Sequence, residues 1–327
     1  MAREYKIVTI GGGSGLSTIL RGLKLYTSDI TAIVTVADDG GGSGVLRQEL
    51  GMLPPGDIRN CILALANTEP IMTRLLNFRF QDGMLKGQSF GNLFLAAMDG
   101  ICGSFEEAVR RMSDVLAVTG KVLPVTLDDI KLCALMDNGD RVVGESIIPH
   151  YAVEHHCRIA QLYLEPQKAQ PTGDAIRAIT EADVILLGPG SLYTSVIPNL
   201  LVNGIVDTLK VSTAMKIYIC NVMTQPGETT GFTVTDHLRT LESVAKCRLI
   251  DYCVVNQKKV DSKIVDKYLA DGADYVFLGK DEAACFEDVQ FIESDILNVQ
   301  NDLVRHDADV LCELLFNLIT QNISLKN

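Results

Sequence analysis

The stretch Val8-Thr9-Ile10-Gly11-Gly12-Gly13-Ser14-Gly15-Leu16 constrains the fold more than any other. Tyr5 to Ile10 is rich in β-branched and aromatic residues and stops on three consecutive glycines. Leu16, Ile19, Leu20 and Leu23 then recur at helical spacing. The pattern predicts a strand, a tight glycine turn and a helix N-terminus. Glycine lets the backbone adopt positive φ and lets a ligand come close to the N–H groups. The helix start adds unpaired donors and partial positive charge, so an anion such as phosphate is the natural guest. Gly11, Gly12, Gly13, Ser14 and Gly15 are therefore candidate ligand contacts, with Ser17 and Thr18 as further hydroxyl donors.

A second strand-like run, Ile30 to Ala37, leads into Asp38-Asp39-Gly40-Gly41-Gly42-Ser43-Gly44. In dinucleotide folds an acid at the end of the second strand bonds a ribose hydroxyl, and Asp38 holds that place. A carboxylate at a strand end can also hold Mg²⁺ against ligand phosphates; Asp39 is the candidate metal ligand, with Asp38 as the other acid able to take that place. An Asx turn is the local alternative. Strict G-x-G-x-x-G spacing is absent, which weakens a plain NAD-dehydrogenase reading, and the Walker pattern is absent too. NAD stays open as a ligand because the same loop and Asp38 would serve it.

A third loop repeats the opening logic. Val184-Ile185-Leu186-Leu187 runs into Gly188-Pro189-Gly190-Ser191, so Gly188, Gly190 and Ser191 join the candidates at a switch point of a parallel sheet. Pro54-Pro55-Gly56-Asp57 opens another helix with Asp57 as the predicted N-cap and Arg59 and Asn60 as anion or sugar contacts. Gly87-Gln88-Ser89-Phe90-Gly91-Asn92 contains the nucleophile-elbow string, but the polar stretch before it is no buried strand. Ser89 and Asn92 read better as caps of a helix facing the site.

Between 121 and 166 the pattern changes to short strands, with Asn138-Gly139 as a hairpin signal. This predicts a β-rich insertion, serving association, in a single α/β domain spanning 1–327. His155 and His156 fall inside it, and as strand neighbours they would point to opposite faces. A short strand is predicted at Tyr275 to Leu278 and an amphipathic helix from Ala308 to Ile323.

Composition sets the partner classes. With 47% hydrophobic residues in 327 and a net charge of −12, the chain can bury a large core and disfavours nucleic acid and anionic membranes. No apolar run is long enough for membrane insertion, and the N-terminus has no signal-peptide pattern. Nine cysteines without a C-x-x-C pair suit reduced thiols in a cytoplasmic setting.

Taken together, residues 8–15, 36–41, 54–60, 87–92, 187–195 and Asn221-Val222-Met223-Thr224-Gln225-Pro226-Gly227-Glu228-Thr229 resemble the YvcK-like gluconeogenesis factor family. That family is related to 2-phospho-L-lactate transferase, and the resemblance covers essentially the whole chain. It implies a Rossmann-like, doubly wound, mostly parallel α/β sheet in a cytoplasmic bacterial protein. It further implies binding of a UDP-sugar such as UDP-N-acetylglucosamine and a role in cell shape and growth on gluconeogenic carbon. Protein partners in cell-envelope synthesis and a homodimer are expected on the same footing. The transferase relatives imply the alternative, a Mg²⁺-dependent transfer of a phosphorylated group from a nucleotide donor. Tyr268 and Arg305 resemble the family's candidates for gripping the nucleotide-sugar; a tyrosine can stack and an arginine can fork two phosphate oxygens.

Overall fold

The computed structural model describes residues 4–300 and 302–324. Its strands are β1 (Ile7–Gly11), β2 (Ile30–Val34), β3 (Lys121–Pro124), β4 (Lys131–Met136), β5 (Arg141–Val143) and β6 (Ile159–Glu165). These are followed by β7 (Val184–Leu187), β8 (Met215–Ile219), β9 (Tyr252–Asn256), β10 (Gln290–Ser294), β11 (Leu297–Gln300) and β12 (Leu303–His306). One seven-stranded sheet runs β10-β9-β8-β7-β1-β2-β3, and every pairing in it is parallel. Every residue of β1, β2, β7 and β8 is buried. Unbroken apolar runs are what a parallel sheet covered on both faces demands.

Helix α1 (Gly13–Leu23) follows β1 directly, α2 (Gly41–Leu50) follows β2, and α3 (Gly56–Leu65) comes next. The predicted stripe of α1 is real: Leu16, Ile19, Leu20 and Leu23 are all buried. Each such leucine or isoleucine contributes about 1.5–3 kcal/mol relative to an exposed side chain. Helix α1 packs on α3 and on the long C-terminal helix Ala308–Ser324.

The antiparallel insertion is a three-stranded sheet, β5-β4-β6, with the helix Ile147–Glu154 carried between β5 and β6. It begins later than its sequence pattern indicates. Residues 121–124 form the edge strand β3 of the main sheet, in parallel register with β2. His155 and His156 are not in a strand. They end the insertion helix, where His155 stacks on Tyr151 with centroids 3.8 Å apart and His156 takes a positive φ of 51°. Tyr275 makes a single bridge to Met223 in place of the expected strand, and the sheet is completed instead by β10, whose mixed polarity hid it. All nine cysteines are free thiols. Among the described residues no helix is long and apolar enough to cross a membrane.

Candidate functional site

The chain leaves β1 toward β2 and β3, then returns to the other side of β1 to build β7 through β10. The carboxyl ends of β1 and β7 therefore flank the switch point, where loops diverge and open a crevice. A cleft of about 420 Å³ lies there, lined by Gly12 to Gly15, Asp38, Asp57, Glu145, Pro189 to Ser191, Thr194, Ser195, Asn221 to Gln225, Tyr268 and Val304 to His306. A larger groove of about 980 Å³ runs between β6 and the helix Val234–Ala245.

Two glycine loops face each other across the crevice. A Cβ on Gly15 would stand 2.7 Å from the Pro189 carbonyl oxygen, so any side chain there would push the loops apart. Gly13 begins α1 at φ +67°, a left-handed conformation that favours glycine. The first N–H groups of α1 have no partner within the helix, as at any helix start. One of them, on Gly13, is met by the Asp57 carboxylate. Ser17 and Thr18 do not add to this cradle. Both hydroxyls donate back to the Ser14 carbonyl, at 2.9 and 2.8 Å.

The two acids after β2 part company. Asp38 lines the cleft, with one oxygen accepting the Gly40 N–H at 2.9 Å in an Asx turn. Asp39 turns the other way and accepts the backbone N–H groups of Ser146 and Glu145 at 2.9 and 3.1 Å. Among the described residues no three His, Cys, Asp or Glu side chains are grouped so as to hold a metal ion. Both Asp39 oxygens are engaged by the insertion, and Asp39 turns away from the cleft that Asp38 lines.

Of the residues singled out from sequence, Gly12, Gly13, Ser14, Gly15, Asp38, Gly190, Ser191, Tyr268 and Arg305 meet in the cleft. Gly11 and Gly188 lie just behind it: the Gly188 N–H donates to Ile10 and the Gly11 carbonyl accepts from Thr35. Tyr268 accepts the Val304 N–H at 2.9 Å and so pins the strand that carries Arg305. Ser89, Asn92 and Asn60 stay outside the cleft lining. Ser89 caps the helix Phe90–Cys102 by accepting the Asn92 N–H at 3.2 Å. The Asn92 carbonyl accepts from Arg59 at 3.2 Å, and Arg59 is thereby buried in a structural contact and closed to a ligand. Asp57 is not an N-cap, since Pro55 takes that position; it sits in the first turn of α3 and points at the glycine loop.

Several cleft residues escaped the sequence. Asn221 and Gln225 leave β8 as the other acceptor-bearing side chains do, at a strand's carboxyl end, and that position was the available signal. Gln225 donates to Ser191 Oγ at 2.6 Å and receives from Asn221 at 3.2 Å. The Asn221 carbonyl oxygen is closed off from solvent without a partner. Glu145 comes from the insertion, and nothing in its local pattern marks it.

Crowding sets the charge of the cleft. Burial first, then the neighbouring Asp38, pushes the Asp57 carboxyl up to about 7. Burial, followed by Asp38, Asp57, Asp39 and Glu228, pushes Glu145 up to about 8. Burial likewise raises Glu228 to about 7, against hydrogen bonds from Thr194 and the backbone of Tyr193 and Thr194. A carboxyl held protonated near neutrality donates a hydrogen bond and does not repel an anion. Burial pulls His306 down to about 4, so its ring is neutral, with Nε2 3.0 Å from the Cys220 carbonyl. Arg305 supplies the cleft's exposed cation.

A doubly wound parallel sheet with glycine loops on both sides of its switch point defines a Rossmann-like α/β protein, with the crevice between them as its candidate site. The chain belongs to the CofD family: the profile described as 2-phospho-L-lactate transferase CofD matches residues 7–297. A relative from Thermoanaerobacterium thermosulfurigenes is 56% identical over 314 residues, covering 96% of this chain and 97% of its own length. The gluconeogenesis factor of Bacillus subtilis is 46% identical over 322 residues, covering 98% of this chain and 100% of its own. A crystal structure of a protein from Bacillus halodurans superposes with a TM-score of 0.92 at 43% identity, covering 96% of this chain and 100% of that one.

Proposed function

We propose that this protein is a gluconeogenesis factor that binds a nucleotide-sugar of the UDP-N-acetylglucosamine type in the switch-point cleft. Binding would couple the supply of envelope precursors to cell shape and to growth on gluconeogenic carbon. The observation that carries this reading is the contact of the two glycine loops, Gly12–Gly15 against Pro189–Ser191, which together line one cleft. Backbone N–H groups there hold a diphosphate, and Asp38 bonds a ribose hydroxyl. The engagement of Asp39 by the insertion supports binding without a metal, and so favours a regulator over a Mg²⁺-dependent transferase.

The test is a melting series against UDP-N-acetylglucosamine, UDP, NAD and a phospholactate-activated nucleotide. A ligand at a hundred times its Kd adds about 2.7 kcal/mol to stability. Stabilisation by the UDP compounds, with none by NAD and no product formed from the activated donor, is expected. Stabilisation by NAD alone, or turnover of the activated donor, would overturn the reading.

A further inference from the structure

The insertion forms a wall of the ligand cleft. Asp39, at the exit of β2, accepts the N–H groups of Glu145 and Ser146 just before the insertion helix Ile147–Glu154 begins. It thereby anchors the turn that leads into that helix, from an element more than a hundred residues away in sequence. On the other side, a Cβ on Gly227 would stand 2.1 Å from the Pro149 carbonyl oxygen, so the loop after β8 lies flush against the same helix. Held at both rims, the insertion presents the Glu145 side chain to the cleft beside Asp38 and Asp57. The Glu145 carboxyl is half-buried, and the interactions that set its ionisation include no hydrogen bond.

We propose that Glu145 reads the ribose of the bound nucleotide together with Asp38, and that Asp39 is the positioning residue that aims it. The inference rests on the nucleotide-sugar reading above. A carboxyl is a poor neighbour for phosphate oxygens and a good one for adjacent hydroxyls, which it can engage through both of its oxygens. Phosphates belong on the glycine loops, where the main-chain donors are, and Glu145 and Asp38 are left for a hydroxyl-bearing ring. A half-buried carboxyl with no protein hydrogen bond, facing the cleft, marks a place where the ligand supplies the missing partner. The insertion thus contributes to choosing the ligand.

The experiment compares UDP with 2′-deoxy-UDP by calorimetry on the full chain, for wild type, Glu145→Gln, Glu145→Ala and Asp39→Ala. Wild type should prefer UDP by about tenfold or more, the discrimination expected of one hydrogen bond to a charged or acidic group. Glu145→Ala and Asp39→Ala should bind the two nucleotides nearly alike, with Glu145→Gln in between and affinity for 2′-deoxy-UDP little altered. A general loosening of the fold would weaken both nucleotides equally and leave their ratio intact, and that result would overturn the proposal. Equal binding of the two by wild type would overturn it as well. Failure of wild type to bind UDP or UDP-N-acetylglucosamine at all would instead remove the functional reading beneath it.

Discussion

Asn199 donates its side-chain amide to the carbonyl oxygen of Gly11 at 3.1 Å, across 188 residues of sequence. The same amide donates to Ser195 at 2.8 Å, and the side chain is fully buried. One residue on the helix after the second glycine loop therefore fixes the exit of the first. Leucine at position 199 fills similar space but donates to neither carbonyl, leaving the Gly11 oxygen with the Thr35 N–H alone. Asn199→Leu should cost about 1–3 kcal/mol in urea denaturation. It should also weaken nucleotide binding, since the loops lose their shared register.

Gly15 is the tightest point of that contact. The obstruction facing it is backbone, which cannot rotate away as a side chain can. Gly15→Val should yield a folded protein, with native circular dichroism, that shows no stabilisation by UDP-N-acetylglucosamine. Undiminished stabilisation in the folded variant would show that the phosphates lie elsewhere.

Much of this was legible in the sequence, because parallel sheets write themselves as unbroken apolar runs and phosphate loops as glycines. Of the strands carrying the cradle, β7 is such a run, while β1, β2 and β8 are buried throughout with only Thr9, Thr31 and Lys216 as polar interruptions. Contacts made by single polar residues between distant elements were not legible. Arg59 has the type and position of an anion contact, yet it folds onto Asn92 and Asn77 because burying a guanidinium demands partners. Asp39 resembles Asp38 in every local respect, and only the insertion docked beside it tells them apart. Strand β3 reads as part of the insertion because four residues of edge strand look the same in a parallel sheet and in a hairpin.

Ser89 supplies a contrast between a structural and a chemical role. If it serves as a helix cap, Ser89→Ala should lower stability by about 0.5–2 kcal/mol. Esterase activity should be absent from wild type and variant alike, and nucleotide affinity should be unchanged. A hydrolytic activity in wild type that the substitution removes would reinstate the nucleophile.

The crowded acids predict a pH dependence. Asp57 and Glu145 are raised to about 7 and about 8, from ordinary values of 3.8 and 4.5. Between those limits the folded chain binds more protons than the unfolded one, so the slope of stability with pH is negative. The contribution is favourable at mildly acid pH and is lost as pH rises through the folded values. Asp57 faces Asp38, Arg59 and the Gly13 N–H, and Glu145 faces Asp38, Asp57, Asp39 and Glu228. Melting temperatures taken from about pH 5 to about pH 9 should fall, and Asp57→Asn and Glu145→Gln should each flatten the decline.

The central claim is that the glycine cradle holds a nucleotide-sugar through main-chain donors, without a metal. Calorimetric titration of UDP-N-acetylglucosamine into wild type, once in magnesium and once in chelator, tests it most directly. The account predicts saturable binding with the same affinity in both. Binding that vanishes in chelator and returns with magnesium would contradict it, and so would no binding in either.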